Sequence, residues 1–251
     1  MSPPSLDHLR TASAELLGRR ELLERVDRKF VATVEQVHGF VSALGAGYHV
    51  LRGGGKSWAR YETCYYDTDD LSGFHEHLRG RRPRYKVRVR RHVERRRAFL
   101  EVKTKKLGER TEKHRRERDY ERLELSADEL EFVARRTPFD VERLRPSVWT
   151  NFNRATLLGV EGEERLTIDV GLCFERNGAR HLPQQLAIIE LKQRRCSHAG
   201  AVDRALHALG IRERSMSKYC AGVASVHEAA RPRYRELLLK RLARNPAWTN
   251  I

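Results

Sequence analysis

Several apolar segments of this chain carry a charged side chain at every second position. Lys86, Arg88 and Arg90 alternate with Tyr85, Val87 and Val89. Glu101, Lys103 and Lys105 alternate around Val102, and Arg165, Thr167 and Asp169 alternate with Leu166, Ile168 and Val170. Glu190 and Lys192 alternate with Ile189 and Leu191, and Arg25, Asp27 and Lys29 hold alternate positions near the N-terminus. A strand turns successive side chains to opposite faces, so each segment predicts a strand with one apolar and one charged face. Side by side, such strands offer arginines and lysines to a polyanion, and their few carboxylates suit a divalent metal. An ordinary antiparallel sheet with one wet face also alternates. Here, however, the polar positions are mostly Arg, Lys and Glu, and Glu-x-Lys occurs twice, at Glu101/Lys103 and Glu190/Lys192.

The elements that position these residues follow from periodicity and caps. Leucines at helical spacing predict a helix over 6–24, followed by a strand over 25–32. Thr33 and Gln36 form a capping-box signature for a helix that Gly45 ends, and Ser126 with Glu129 opens another. Tyr61–Tyr66 reads as a strand, with Asp67-Thr68 capping a short helix through Leu78. Strands over 84–92 and 97–105 form a hairpin. The charge-dense stretch Glu109–Arg118 reads as a loop, and 138–146 as a short helix or loop. Three more strands are expected over 148–158, 165–174 and 186–193. Helices are expected from Ser197 to Leu209, from Ser217 to Glu228, and from Pro232 to Arg244. Amphipathic strands argue against a doubly wound parallel sheet, whose strands are apolar on both faces. The pattern predicts an α+β fold: an antiparallel barrel with a charged lumen and an apolar exterior covered by helices. The expected organisation is a helical lead (1–24), the barrel (25–228) and a basic C-terminal helix (229–251).

The 251 residues include 50 Lys+Arg against 34 Asp+Glu, a formal charge of +16, which favours a polyanionic partner. Cys64, Cys173, Cys196 and Cys220 form no C-x-x-C pair and read as reduced structural thiols, so a cytoplasmic location is expected. No apolar run is long enough for a transmembrane helix. The histidines show no metal-ligand spacing, and no Ser-His-Asp or Cys-His arrangement stands out. The C-terminal helix reads as a solvated basic face; without base-reading motifs or interleaved aromatics, no specific nucleic acid is expected.

The chain carries, in order, Arg25-x-Asp27-x-Lys29-Phe30, Tyr65-Tyr66-Asp67-Thr68, Lys86-x-Arg88-x-Arg90, Glu101-x-Lys103, Asn153-Arg154, Thr167-x-Asp169, Glu190-x-Lys192 and Ser217-Lys218-Tyr219. In order and spacing, these motifs resemble the VTC domain, the polyphosphate polymerase domain of the CYTH-like triphosphate tunnel metalloenzymes. The resemblance runs from about Arg25 to Ala224. It implies an eight-stranded antiparallel tunnel in which the γ-phosphate of ATP passes to a polyphosphate chain, with Mn²⁺ or Mg²⁺. Carried over, Arg88, Arg90, Lys103 and Lys192 would be the catalytic cations. Lys29, Lys86, Lys113, Arg154, Arg165, Ser217 and Lys218 would bind phosphate. Glu190 would hold the metal, with Asp27 and Glu101 as further candidate ligands. Asp169 would orient Arg154 or bind metal, and Tyr66 and Asp67 would pack and cap. ATP and polyphosphate are the implied partners; a membrane-protein partner stays open.

The chain departs from the superfamily's hydrolase and cyclase pattern, Glu-x-Glu-x-Lys on the first strand, where it carries Arg25 and Asp27. Losing the first carboxylate weakens a two-metal hydrolase and suits the polymerase branch. A tri- or polyphosphate hydrolase and a non-catalytic polyanion-binding module remain the alternatives.

Overall fold

The computed structural model describes residues 3–20, 26–107, 111–194, 200–214 and 216–230. Arg25, Gly108, Cys196, Ser197 and the expected helix over Pro232–Arg244 lie outside these ranges. The strands are β1 (Val26–Thr33), β2 (Tyr48–Val50), β3 (Ala59–Asp67), β4 (Arg84–His92), β5 (Arg97–Lys105), β6 (Thr111–Arg118), β7 (Arg145–Gly159), β8 (Glu164–Arg176), β9 (Ala179–His181) and β10 (Leu186–Gln193). The helices are α1 (Ala14–Arg19), α2 (Val34–Leu44), α3 (Ser72–Leu78), α4 (Ala127–Ala134), α5 (Ala201–Ala208) and α6 (Lys218–Val226). Every strand pair is antiparallel. The main path holds eight strands in the order β1-β10-β8-β7-β3-β4-β5-β6, with the short β2 and β9 attached to β7 and β8.

Among the described residues the ladder does not close between β1 and β6. The outer edge of β1 is taken by the segment before α6: Phe30 bridges Glu213, and the Arg214 N–H donates to the Lys29 carbonyl at 2.7 Å. The sheet is therefore a strongly curved, barrel-like tunnel wall rather than a fully hydrogen-bonded barrel.

The apolar faces pack outward, as the alternation requires. Phe30, Ile189, Leu166, Ile168 and Leu157 form the largest core with Val37, Phe40 and Val41 of α2 and Val202 and Leu206 of α5. Cys64, Val87, Val89, Leu100 and Val102 pack against Val133 of α4. Burying side chains of this size stabilises by roughly 1.5–3 kcal/mol each. That burial presses the alternate, charged positions onto the concave face. α5 is also tied to β1 through a buried Arg28, which bonds Asp203 at 2.7 Å and Glu213 at 2.9 Å.

Several local expectations change. Glu109–Arg118 is not a loop throughout: Thr111–Arg118 forms β6, paired along its length with β5. Its sequence lacks an apolar face because both faces of this edge strand meet solvent or charge. The first helix covers only Ala14–Arg19, because the Ser13 hydroxyl caps it by accepting from Leu16 N–H. Leu6 and Leu9 reach the main core from an irregular segment instead. The helix expected from Ser197 runs Ala201–Ala208 with Gly200 as its cap. The capping boxes at Thr33/Gln36 and Ser126/Glu129 are both formed. Among the described residues, no helix is long and apolar enough to cross a membrane.

Alternation did not foretell that part of the concave face is apolar. At Gly171 (φ +62°) β8 carries one residue more than β7 opposite, a bulge that shifts its phase. Asp169 and Phe174, five apart, consequently both face inward. Phe174 joins Val31, Leu186 and Ile188 beneath α6, which closes this end of the concavity. α6 approaches closely because Gly222 has no side chain: a Cβ there would sit 3.0 Å from both Phe174 and Val148. Gly222→Val should lower stability by about 1–3 kcal/mol through overpacking, read as a lower denaturant midpoint at unchanged m-value.

Candidate functional site

Directly opposed residues share a face, so the strand registers define rungs across the concavity. One rung joins Lys86, Lys103 and Lys113; the next joins Arg88, Glu101 and Arg115. Across the sheet, Lys29, Glu190 and Thr167 form a rung, as do Asp27, Lys192 and Arg165. Arg154 faces Asp169. The structure thus gathers Lys29, Lys86, Arg88, Arg90, Glu101, Lys103, Lys113, Arg154, Arg165, Glu190, Lys192 and Asp27 on one face. Ser217 and Lys218 reach it from α6.

The two walls meet across the hollow. Lys86 of β4 donates to the Ser217 hydroxyl at 2.9 Å, while the next residue, Lys218, pairs with Asp169 of β8. Lys103 of β5 is pushed down to about 7, first by burial and then by Lys29 of β1. Among the described residues Lys103 has no ion-pair partner.

Three carboxylates of the concave face, Glu101, Asp169 and Glu190, are engaged by cations. Glu101, 3% exposed, accepts from Arg88 Nε at 2.7 Å and pairs with Lys113 through its other oxygen. Burial alone would raise its carboxyl, but Arg88, Arg90 and Lys113 hold it far below the usual range. Arg154 grips Asp169 with two parallel bonds of 2.6 and 2.7 Å, the planar fork matching the carboxylate. Burial opposes ionisation of Asp169, yet Arg154 and Lys218 bring it down to about 2. Glu190 bonds Lys192 at 2.8 Å and lies 3.9 Å from Lys29. Against its burial, Lys192, Lys29 and Arg154 hold it well below the carboxylate range.

These acids do not neutralise the site. Burial lowers Lys86, Lys113, Lys192 and Lys218. Arg90 falls to about 10 through burial and then Arg88. Like charges 4 Å apart repel by about 4 kcal/mol at an effective dielectric constant near 20. An anion entering this face relieves that repulsion, and a row of cations fits a chain of phosphates.

The donor set also suits a hard divalent cation. Glu190 stands opposite Thr167, whose buried hydroxyl has no hydrogen-bond partner among the described residues, and diagonal to Asp27. Among those residues no three His, Cys, Asp or Glu gather to hold a metal alone. A metal here would need oxygen ligands from phosphate or water, as Mg²⁺ and Mn²⁺ readily take. Both oxygens of Glu101 are already engaged by Arg88 and Lys113.

Sequence reasoning missed the residues that fix the cations. Tyr65 accepts from Arg88 at 3.1 Å, and Thr63 from Arg90 at 3.2 Å. Both alternate on the strand expected at 61–66, so the signal was present. Asp67 does more than cap. Buried, it accepts from Gly73 N–H and Phe74 N–H, each at 2.9 Å, and from the Tyr219 hydroxyl on α6. That contact links α3 to α6, the helix that presents Ser217 and Lys218. Nothing in the sequence pairs positions so far apart.

Two predictions follow from these contacts. Tyr219→Phe keeps the ring but frees α6 from Asp67; tripolyphosphate affinity should fall about fivefold or more, since a hydrogen bond to a charged group contributes about 1.5–3 kcal/mol. Isothermal calorimetry reads it. Glu101, Asp169 and Glu190 all have folded-state pKa values below their unfolded ones. Their stability is fully present above about pH 4.5. It should be lost as pH falls toward 2, and Asp169→Asn should flatten that loss in acid-titrated denaturation curves.

The VTC domain family profile matches residues 20–227. No curated protein matches significantly. Solved structures share the fold at low identity. One is a candidate adenylyl cyclase from Hippeastrum with a dominant triphosphatase activity (TM-score 0.55, 14% identity, covering 82% of this chain and 98% of that one). Another is a candidate adenylate cyclase from Bacillus halodurans (TM-score 0.50, 16% identity, covering 77% of this chain and 94% of that one). At such identities the likeness speaks for the fold alone. The profile match spans most of the chain and covers the strands and the helix that build the cation-lined concavity: this protein belongs to the VTC domain family.

Proposed function

We propose that this chain is an ATP–polyphosphate phosphotransferase that moves the γ-phosphate of ATP onto a polyphosphate chain held on the concave face. The observation that carries this reading is the convergence of Arg88, Arg90, Lys86 and Lys103 with more positive charge than Glu101, Asp169 and Glu190 neutralise. VTC family membership supports the same substrate class.

Phosphoryl transfer asks a protein for positioning and charge stabilisation rather than covalent chemistry. A terminal phosphate oxygen of the chain attacks the γ-phosphorus, the bond to the bridging oxygen breaks, and ADP leaves. Arg88 and Arg90 hold non-bridging oxygens as planar forks, kept in place by Glu101, Tyr65 and Thr63. Lys103, Lys192 and Lys29 act as point charges along the path. Arg154, oriented by Asp169, and Lys218, on the closing helix, face the chain end. Lys86, Lys113 and Arg165 extend the basic lining, and Ser217 fixes Lys86. Glu190, with Thr167 and Asp27 beside it, would hold Mn²⁺ or Mg²⁺, which when bound neutralises phosphate charge and aligns the oxygens.

A tri- or polyphosphate hydrolase is the second reading. Asp27 diagonal to Glu190 favours it, because a second carboxylate there could orient an attacking water. Products decide between them. With ATP and Mn²⁺, the polymerase yields a ladder of polyphosphate on a gel and matching ADP. Glu190→Ala should lower this rate at least about a hundredfold, the scale for losing one electrostatic stabiliser of the transition state. Free phosphate without chains would replace the polymerase with the hydrolase. Tight polyphosphate binding with neither product would leave a binding module.

A further inference from the structure

A band of aromatic rings crosses the concave face from Phe152, at the apolar floor under α6 where Lys218 stands 4.7 Å from its ring, to His92 at the end of β4, and the phosphate chemistry above does not use it. The register places Phe152 opposite Tyr61 and Tyr61 opposite His92, the last residue of β4. Tyr61 and Phe152 stack with centroids 5.5 Å apart and planes 5° from parallel. His92 lies 4.6 Å from Tyr61 and 5.5 Å from Phe99. Phe152 and Phe99 are buried, whereas Tyr61 and His92 remain partly open. Burial and then Arg90 bring His92 down to about 4, so at neutral pH its ring is an uncharged aromatic surface.

Two phosphate-clamp arginines touch this band. Arg90 stands 5.6 Å from the Tyr61 ring centre, and Arg154 stands 5.4 Å from it. Cations at this distance are held by the ring quadrupole. The same guanidinium groups can therefore contact phosphate on one side while the rings beside them offer a stacking surface. A phosphate chain has no use for such a surface. A nucleoside triphosphate does, because one sugar separates its flat base from its phosphates.

We propose that Tyr61 and His92 form a nucleobase subsite, stacking the base of ATP while its triphosphate lies among Arg88, Arg90 and Arg154. The proposal rests on reading the concave face as a triphosphate site. It assigns the rim at His92 to the nucleotide and leaves the region around Lys86, Lys103 and Lys29 to the phosphate chain. Stacking tolerates any flat base, so ATP and GTP should bind alike.

The test compares ATP with inorganic tripolyphosphate, a probe that carries the phosphates and no base. Affinities are measured by calorimetry on wild type, His92→Ala and Tyr61→Leu, with thermal melts confirming that each variant folds. His92 lies partly open at a strand end, and Leu keeps much of the apolar volume of Tyr61. His92→Ala should weaken ATP about tenfold or more, the scale of one lost base–aromatic stack, and leave tripolyphosphate essentially unchanged; Tyr61→Leu, which also removes the ring beside Arg90 and Arg154, should weaken ATP about tenfold more than it weakens tripolyphosphate. Equal weakening of both ligands, or unchanged ATP affinity with tripolyphosphate still bound, overturns the subsite alone. If wild type binds neither probe, the triphosphate reading fails and the subsite with it.

Discussion

Positive charges crowded onto one concave face repel one another, and the rest of this fold holds them there despite that repulsion. Burial deepens the cost, since a lysine or arginine taken out of water favours its neutral form unless an anion stands close. The protein supplies only part of the compensation. Glu101 serves Arg88 and Lys113, Asp169 serves Arg154 and Lys218, and Glu190 serves Lys192 and Lys29. Lys103 has no ion-pair partner among the described residues, and burial and then Lys29 bring it down toward its neutral form. Such a face is poised for a polyanion, which supplies the missing negative charge in one continuous piece.

The force that opposes this repulsion comes from the other side of the sheet. The inward cations of β1, β4, β5, β7, β8 and β10 share their strands with outward Val, Leu, Ile or Phe residues buried under α2, α4 and α5. A one-residue slip would exchange the two faces along a whole strand, so the outer core also fixes which side chains point inward. The change of phase at Gly171 lets β8 contribute Asp169 to the charged region and Phe174 to the apolar floor under α6. α6 then bridges the walls through Ser217 and Lys218, and Asp67 anchors it from the end of β3 through Tyr219.

Much of this was legible in the sequence, because a period of two is a direct statement about a strand's faces. The rungs at Lys86–Arg90, Glu101–Lys103, Arg165–Asp169 and Glu190–Lys192 all lie on the concave face that alternation assigns them. β6 was illegible because an edge strand with charge on both faces carries no apolar period. The floor under α6 was hidden by the bulge, which breaks alternation where the face changes from charged to apolar. The tie between Asp67 and Tyr219 joins residues far apart in the chain and has no local signature. The aromatic band was hidden for a related reason: Tyr61, His92 and Phe152 become neighbours only once three strands are in register.

Phosphate must enter the concavity for this chemistry to occur, and a crystal structure of the protein with tripolyphosphate and Mn²⁺ tests that most directly. Phosphate groups are expected against Arg88, Arg90, Lys103 and Lys192, with the metal held at Glu190. Phosphate bound only on the outer surface, with this face empty, would contradict this placement.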